Sequence, residues 1–145
     1  LSYVPSDKSK EEIEIKETNA KYIFSFKGKI YFLEGLAHMD WSVGGLFELT
    51  INDDKFTYNE IVDLEDSPEA FTIFEDTILI ATHQNFYIIK DNKKELVFKN
   101  TFWESLYPNS IAALDSKNVF IGMRGGIVKI DLTTKTLKFY RYKNL

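Results

Sequence analysis

His38 and His83 are the only histidines in this chain of 145 residues, and Arg124 is one of two arginines. A neutral imidazole takes up a proton near neutral pH, so either histidine could act as a general base. An arginine beside it could hold a carboxylate or phosphate through its planar fork of donors. Trp41 offers a face on which a sugar or another ring can stack. Glu34, Asp40, Gln84, Tyr107 and Asn109 are hydrogen-bonding side chains suited to the wall of a polar pocket. These nine residues form the candidate ligand-binding set, and none is assigned a catalytic role. The reading is of a non-enzymatic ligand- or protein-binding module. The alternative is a lyase or hydrolase that uses His38 or His83 with Arg124.

Other chemistry is set aside. His38 and His83 with Glu34 or Asp40 could ligate a divalent ion, but their spacing matches no compact ligand motif, so no metal is expected. Asn52-Asp53-Asp54 reads as a hairpin turn rather than a calcium loop. Glu65 and Asp66 resemble a carboxylate pair for acid–base work. They are sequence neighbours, which point apart on a strand, so they read as a solvated turn. The chain has no cysteine, which removes disulfides and thiolate chemistry. No serine sits in a nucleophile elbow, and no glycine loop has phosphate-cradling spacing. No cofactor is expected.

The elements that must position these residues follow from an internal repeat of about 41 residues. Ile30, Ile78 and Val119 recur, then Leu46, Phe86 and Ile127, then Phe56, Leu96 and Leu137. Each repeat holds four short apolar stretches separated by Asp, Asn, Gly and Lys turns, which reads as four antiparallel strands. The first copy has Tyr22–Phe26 and Ile30–Leu33, an irregular stretch with eight extra residues, then Leu46–Ile51 and Phe56–Leu64. The second has Ala70–Phe74, Thr77–Thr82, Asn85–Lys90 and Glu95–Phe102. The third has Ile111–Leu114, Asn118–Gly122, Gly126–Leu132 and Thr136–Tyr142. Residues 1–10 read as a loose arm. Ile13–Lys16 reads as a short strand by its Ile-x-Ile alternation, with a helix over Lys10–Thr18 as the other option.

Four strands per 40-odd residues is the blade of a β-propeller. Val119-Phe-Ile-Gly-Met-Arg-Gly-Gly-Ile-Val-Lys-Ile-Asp131 and the following residues to Tyr140 resemble the blade repeat of two-component-regulator propellers. The match spans residues 118–140 and weakens in the second and first copies. The expected fold class is therefore all-β, three four-stranded antiparallel blades. The expected boundaries are an arm at 1–20, a first blade at 21–66 with a loop insertion at 34–45, and further blades at 67–107 and 108–145. The resemblance places ligands on the face formed by the loops between second and third strands and between blades. Both histidines and Arg124 fall in equivalent loops there, with Glu69 and Ser110 nearby.

Three blades leave two open flanks, an aggregation hazard. Two remedies are expected: upstream blades before Leu1, or self-association into a six-bladed ring. The composition, 44% hydrophobic and 15% aromatic, is too apolar for a disordered chain. A net charge of −4 gives no footprint for nucleic acid. No apolar run approaches the ~18 residues of a membrane span. The expected partners are a small polar ligand or a protein, with no nucleic acid and no membrane insertion. Nothing in the composition fixes a compartment.

Overall fold

A computed structural model describes residues 1–3, 11, 13–14, 18–38, 41–52 and 55–142, excepting the side chains at 3, 13, 37, 38, 41 and 104. The first sheet is a meander of β3 (Ala20–Phe26), β4 (Lys29–His38), β5 (Trp41–Asn52) and β6 (Lys55–Asp63). The second runs β7 (Pro68–Phe74), β8 (Thr77–Thr82), β9 (Phe86–Lys90) and β10 (Lys93–Phe98). The third runs β11 (Pro108–Ala113), β12 (Asn118–Met123), β13 (Gly126–Asp131) and β14 (Thr136–Arg141). All neighbouring strands are antiparallel, so the fourfold pattern of each repeat is one four-stranded sheet. A 3-10 turn, Glu104–Leu106, lies between the second and third sheets.

The turns form where the sequence supplies residues that accept a left-handed backbone. Lys27-Gly28 and Asp91-Asn92 both have two successive residues at positive φ, the geometry that matches the twist of paired strands. Pro68 and Pro108 occupy the first positions of β7 and β11. Proline is tolerated there, because the ladder has not yet filled with donors.

Strand alternation sends every second side chain to the preceding sheet and the rest to the following one. Tyr31, Leu33 and Leu46 of the first sheet pack against Ile78, Ile80, Tyr87 and Ile89 of the second. Leu79, Ala81 and Phe86, on the other side of the second sheet, pack against Val119, Ile121, Val128 and Ile130 of the third. The repeat anchors obey this rule. Ile78 and Val119 face the preceding sheet and are buried, whereas Ile30 occupies the same place on the first sheet and is only partly buried. Among the described residues no four-stranded sheet packs on that face, so its burial is incomplete.

The terminal arm differs from the expectation. Ser2–Tyr3 (β1), within the stretch read as a loose arm, pairs with Ile13–Glu14 (β2) as a small antiparallel ribbon. Ile15 and Lys16 lie outside the described residues. Leu1 packs on the far face of the first sheet, where Phe32, Phe47 and Leu49 are buried.

The stretch 34–45 also departs from an irregular loop. β4 and β5 continue their pairing through Glu34↔Gly45, Leu36↔Val43 and His38↔Trp41, making one long hairpin. Its base approaches the link to the second sheet so closely that Cβ atoms would not fit. A side chain at Gly35 would strike Pro68 and Ser67, and one at Gly44 would strike the Asp66 backbone. Glycine is needed at both places for close backbone approach.

Candidate functional site

The link between the first and second sheets carries a buried carboxylate. Asp66 is 4% exposed. Its Oδ1 accepts hydrogen bonds from Ser42 Oγ (2.6 Å) and the Ser67 backbone N–H (2.9 Å). Its Oδ2 accepts from Thr82 Oγ1 (2.6 Å), the Gln84 N–H (2.7 Å) and Asn85 Nδ2 (3.4 Å). The reading of Glu65 and Asp66 as a solvated turn holds for Glu65, which is exposed, and fails for Asp66. Burial of a charge is tolerated when its acceptor sites are filled, and five donors fill them here. Those donors come from the long hairpin, the link itself and the β8–β9 loop.

The β8–β9 loop is thereby fixed on both sides. His83 N–H donates to the Ser67 carbonyl at 2.9 Å. The Gln84 carbonyl accepts from the Thr101 N–H at 2.7 Å and from its hydroxyl at 2.9 Å. Asn85 Oδ1 accepts from the Asn100 N–H at 3.1 Å. Trp103 is fully buried in the second core and donates Nε1–H to the Thr82 carbonyl at 3.2 Å. The Arg124 N–H donates to the Leu106 carbonyl at 2.6 Å, which ties the β12–β13 loop to the segment between the second and third sheets.

On this base three candidate residues meet. The Arg124 guanidinium lies over the Tyr107 ring, 4.9 Å from its centroid. The Tyr107 and His83 rings are 6.4 Å apart. Tyr107 is half exposed and its backbone is left-handed, φ 50° and ψ 86°. A bulky L-residue in that region is strained, and such strain concentrates at binding and switch sites. A guanidinium stacked on an aromatic ring keeps its edge donors available for an anion.

The other candidates are placed differently. Gln84 uses its backbone in the pinned loop. Asn109 is exposed on β11, its Oδ1 accepting from Ser110 Oγ at 3.0 Å. Glu34 shares the face of β4 that carries Phe32, turned away from the second sheet, and accepts a hydrogen bond from Thr18. It therefore does not join His83, Tyr107 and Arg124. His38 and Trp41 close the tip of the long hairpin through their backbones; their side chains, and Asp40 altogether, lie outside the described residues. Asp53 and Asp54 of the Asn52 turn also lie outside them. Met123, at the edge of the same loop as Arg124, is a core residue, 4% exposed. Among the described residues no cluster of three or more His, Asp or Glu could hold a metal ion.

Sequence reasoning missed Asp66 and Trp103. Asp66 stands beside Glu65 with no local sign of burial, and Trp103 lies beyond the strand pattern. At the opposite end of the sheets are two crevices. One, of about 330 Å³, lies between the first and second sheets, with Lys27, Lys29, Asp91 and Asn92 at its rim. The other, of about 200 Å³, lies between the second and third, beside Glu75, Asp115 and Ser116. They occupy equivalent places in successive inter-sheet gaps. They thus follow from the splay of the repeat, and they lie away from the histidine and Arg124 loops.

A crystal structure of the tricorn protease matches 87% of this chain with a TM-score of 0.54 at 15% identity. This chain has a β-propeller-like fold. The three sheets are its blades, each an antiparallel meander of four strands. The chain spans 13% of the length of that protein's chain, and the likeness concerns the fold alone. No family model and no curated protein matches the sequence. No helix among the described residues is long and apolar enough to cross a membrane.

Proposed function

We propose that this chain is a non-enzymatic binding module that holds a ligand or protein partner on the face built by the β8–β9 and β12–β13 loops. The observation that carries the reading is the stack of Arg124 on Tyr107 next to His83. Backbone hydrogen bonds secure these loops, one of them to a buried carboxylate. Rigid loops on a sheet scaffold lower the ordering cost of binding. The chemistry suits an anionic group that also presents a flat surface: Arg124 supplies donors to the anion and Tyr107 an aromatic face. The Ile121-Gly122 and Gly125-Gly126 pattern ending at Asp131 supports counting the third blade with the two-component-regulator type.

The test is a titration of the isotopically labelled chain with benzoate, a flat carboxylate, followed by amide NMR. Saturable shifts at His83, Gln84, Tyr107 and Arg124 are expected, and Arg124→Ala should abolish them while leaving the rest of the spectrum in place. Shifts confined to Lys27 and Asp91 at the other end, or no shifts at all, would sink the reading.

A further inference from the structure

Both arginines of the chain stand at the loop end of the third blade. Arg124 lies in the turn between Met123 and Gly126, which pair with each other, and Arg141 pairs with Gly126 from the other side. Adjacent strands lie about 4.8 Å apart, so the backbones at Met123 and Arg141 are separated by about 10 Å. Strand parity puts Arg141 on the face that meets the second blade, with Phe139, Val128 and Met123. Its guanidinium lies 5.9 Å from the centre of the Phe139 ring, and the Phe139 and Phe102 rings are 5.5 Å apart. Phe102 is 47% exposed. The segment from Phe102 to Tyr107 therefore carries an arginine–aromatic stack near each end: Arg141 on Phe139 beside Phe102, and Arg124 on Tyr107.

Neither guanidinium is neutralised. Among the described residues no carboxylate pairs with Arg124 or Arg141, although Lys21, Lys27, Lys29, Lys94 and Lys135 each pair with one. Both arginines are exposed. The chain carries a net charge of −4, so carboxylates are in excess and yet none is spent on these two cations. A guanidinium held flat on a ring keeps its edge donors for a carboxylate brought from outside.

We propose that the two stacks form one surface, which binds an extended acidic segment of a protein partner, with one carboxylate on Arg124 and another on Arg141. This rests on the binding reading above and names the kind of partner. An extended chain advances about 3.3 Å per residue, so carboxylates about three residues apart span the two arginines. An apolar side chain between them meets the exposed Phe102 ring. One exposed arginine–carboxylate contact contributes little by itself. Joining two on one chain makes the second contact intramolecular and raises the affinity. Phe102, Tyr107 and both arginines are exposed, which suits a chain laid across an open surface better than a small molecule that needs enclosing walls. Two unpaired cations match two carboxylates, whereas a nucleic-acid strand brings a phosphate with every nucleotide and needs a longer basic track.

The probe is a synthetic peptide with two glutamates at that interval and a phenylalanine between them. It is titrated into the isotopically labelled full chain and followed by amide NMR. Saturable shifts at Phe102, Tyr107, Arg124, Gly125 and Arg141 are expected. Arg141→Gln keeps most of the side chain and loses the charge. It should weaken peptide binding by about threefold or more, with the rest of the spectrum in place. A peptide with glutamine at both positions should bind the native chain about tenfold more weakly. Equal affinity for the two peptides, an Arg141→Gln chain that binds like the native one, or an oligothymidylate that binds more tightly than the peptide would each overturn the proposal. Benzoate shifts at Arg124 alongside any of those results leave the binding reading standing. No shift at Arg124 with either probe removes both.

Discussion

Replacing Asp66 with Ala removes the acceptor on which five donors converge: Ser42 Oγ, the Ser67 and Gln84 N–H groups, Thr82 Oγ1 and Asn85 Nδ2. Some of these donors have a second partner. Thr82 Oγ1 also reaches the Asn85 carbonyl at 3.2 Å, and Ser67 N–H also reaches Ser42 Oγ at 2.8 Å. A hydrogen bond to a charged group contributes about 1.5–3 kcal/mol, and bonds in one network do not add. The equivalent of two lost bonds gives an expected destabilisation of about 3–6 kcal/mol. At roughly 3 °C per kcal/mol for a domain of this size, the melting temperature should fall by about 10 °C or more. Asp66→Asn keeps one acceptor oxygen and should lie between Asp66→Ala and the native protein. Glu65→Ala is the control. Its carboxylate is 64% exposed and paired with Lys94 at 2.6 Å, so less than about 1 kcal/mol is expected. Urea unfolding followed by tryptophan fluorescence suits the assay, because buried Trp103 bonds to the Thr82 carbonyl beside the network. A midpoint for Asp66→Ala no lower than that of Glu65→Ala would refute the reasoning.

Burial, with the charges of Glu65, Asp66 and Asp63, pushes the Tyr87 hydroxyl up to about 12 from 10.0. The unfolded chain therefore ionises first. Stability is full below about pH 10 and should fall by roughly 2–3 kcal/mol as pH rises towards 12. Tyr87→Phe loses the 2.7 Å bond to the Leu64 carbonyl, about 1 kcal/mol, and should flatten that alkaline decline in pH-dependent urea midpoints. Ile78→Ala should destabilise by about 2–4 kcal/mol, and Ile30→Ala by clearly less, since only Ile78 is sealed between two blades. Equal losses in calorimetry would mean that the first blade's flank is as well covered as the interior. Gly44→Ala should destabilise by about 1–3 kcal/mol, because its Cβ would meet the Asp66 backbone, which has no free rotation to yield. A melting curve like that of the native chain would show that the long hairpin does not dock there.

Local chemistry determined the twelve blade strands and their facing. Period-two alternation separates Ile78 from Leu79 and Val119 from Phe120 whatever lies around them, and Asp91-Asn92 or Lys27-Gly28 turns a strand back without distant help. The equivalence of Ile30, Ile78 and Val119 was likewise legible, because a repeat preserves register. The bringing together of His83 and Arg124 on one face follows from the same periodicity, since equivalent loops of neighbouring blades open at the same end. Tertiary structure alone decided the rest. Residues 34–45 pair as a hairpin, with Gly35 and Gly44 leaving room for Pro68 and the Asp66 backbone. Glu34 parts from the loop cluster because its strand parity turns it to the other face. Asp66 is buried because its donors at 42, 67, 82, 84 and 85 arrive from separate segments, and Tyr107 stacks under Arg124 only once the 3-10 turn before it is anchored. Neighbours on the chain set strand and turn, whereas the burial of a polar group depends on partners that sequence separation hides.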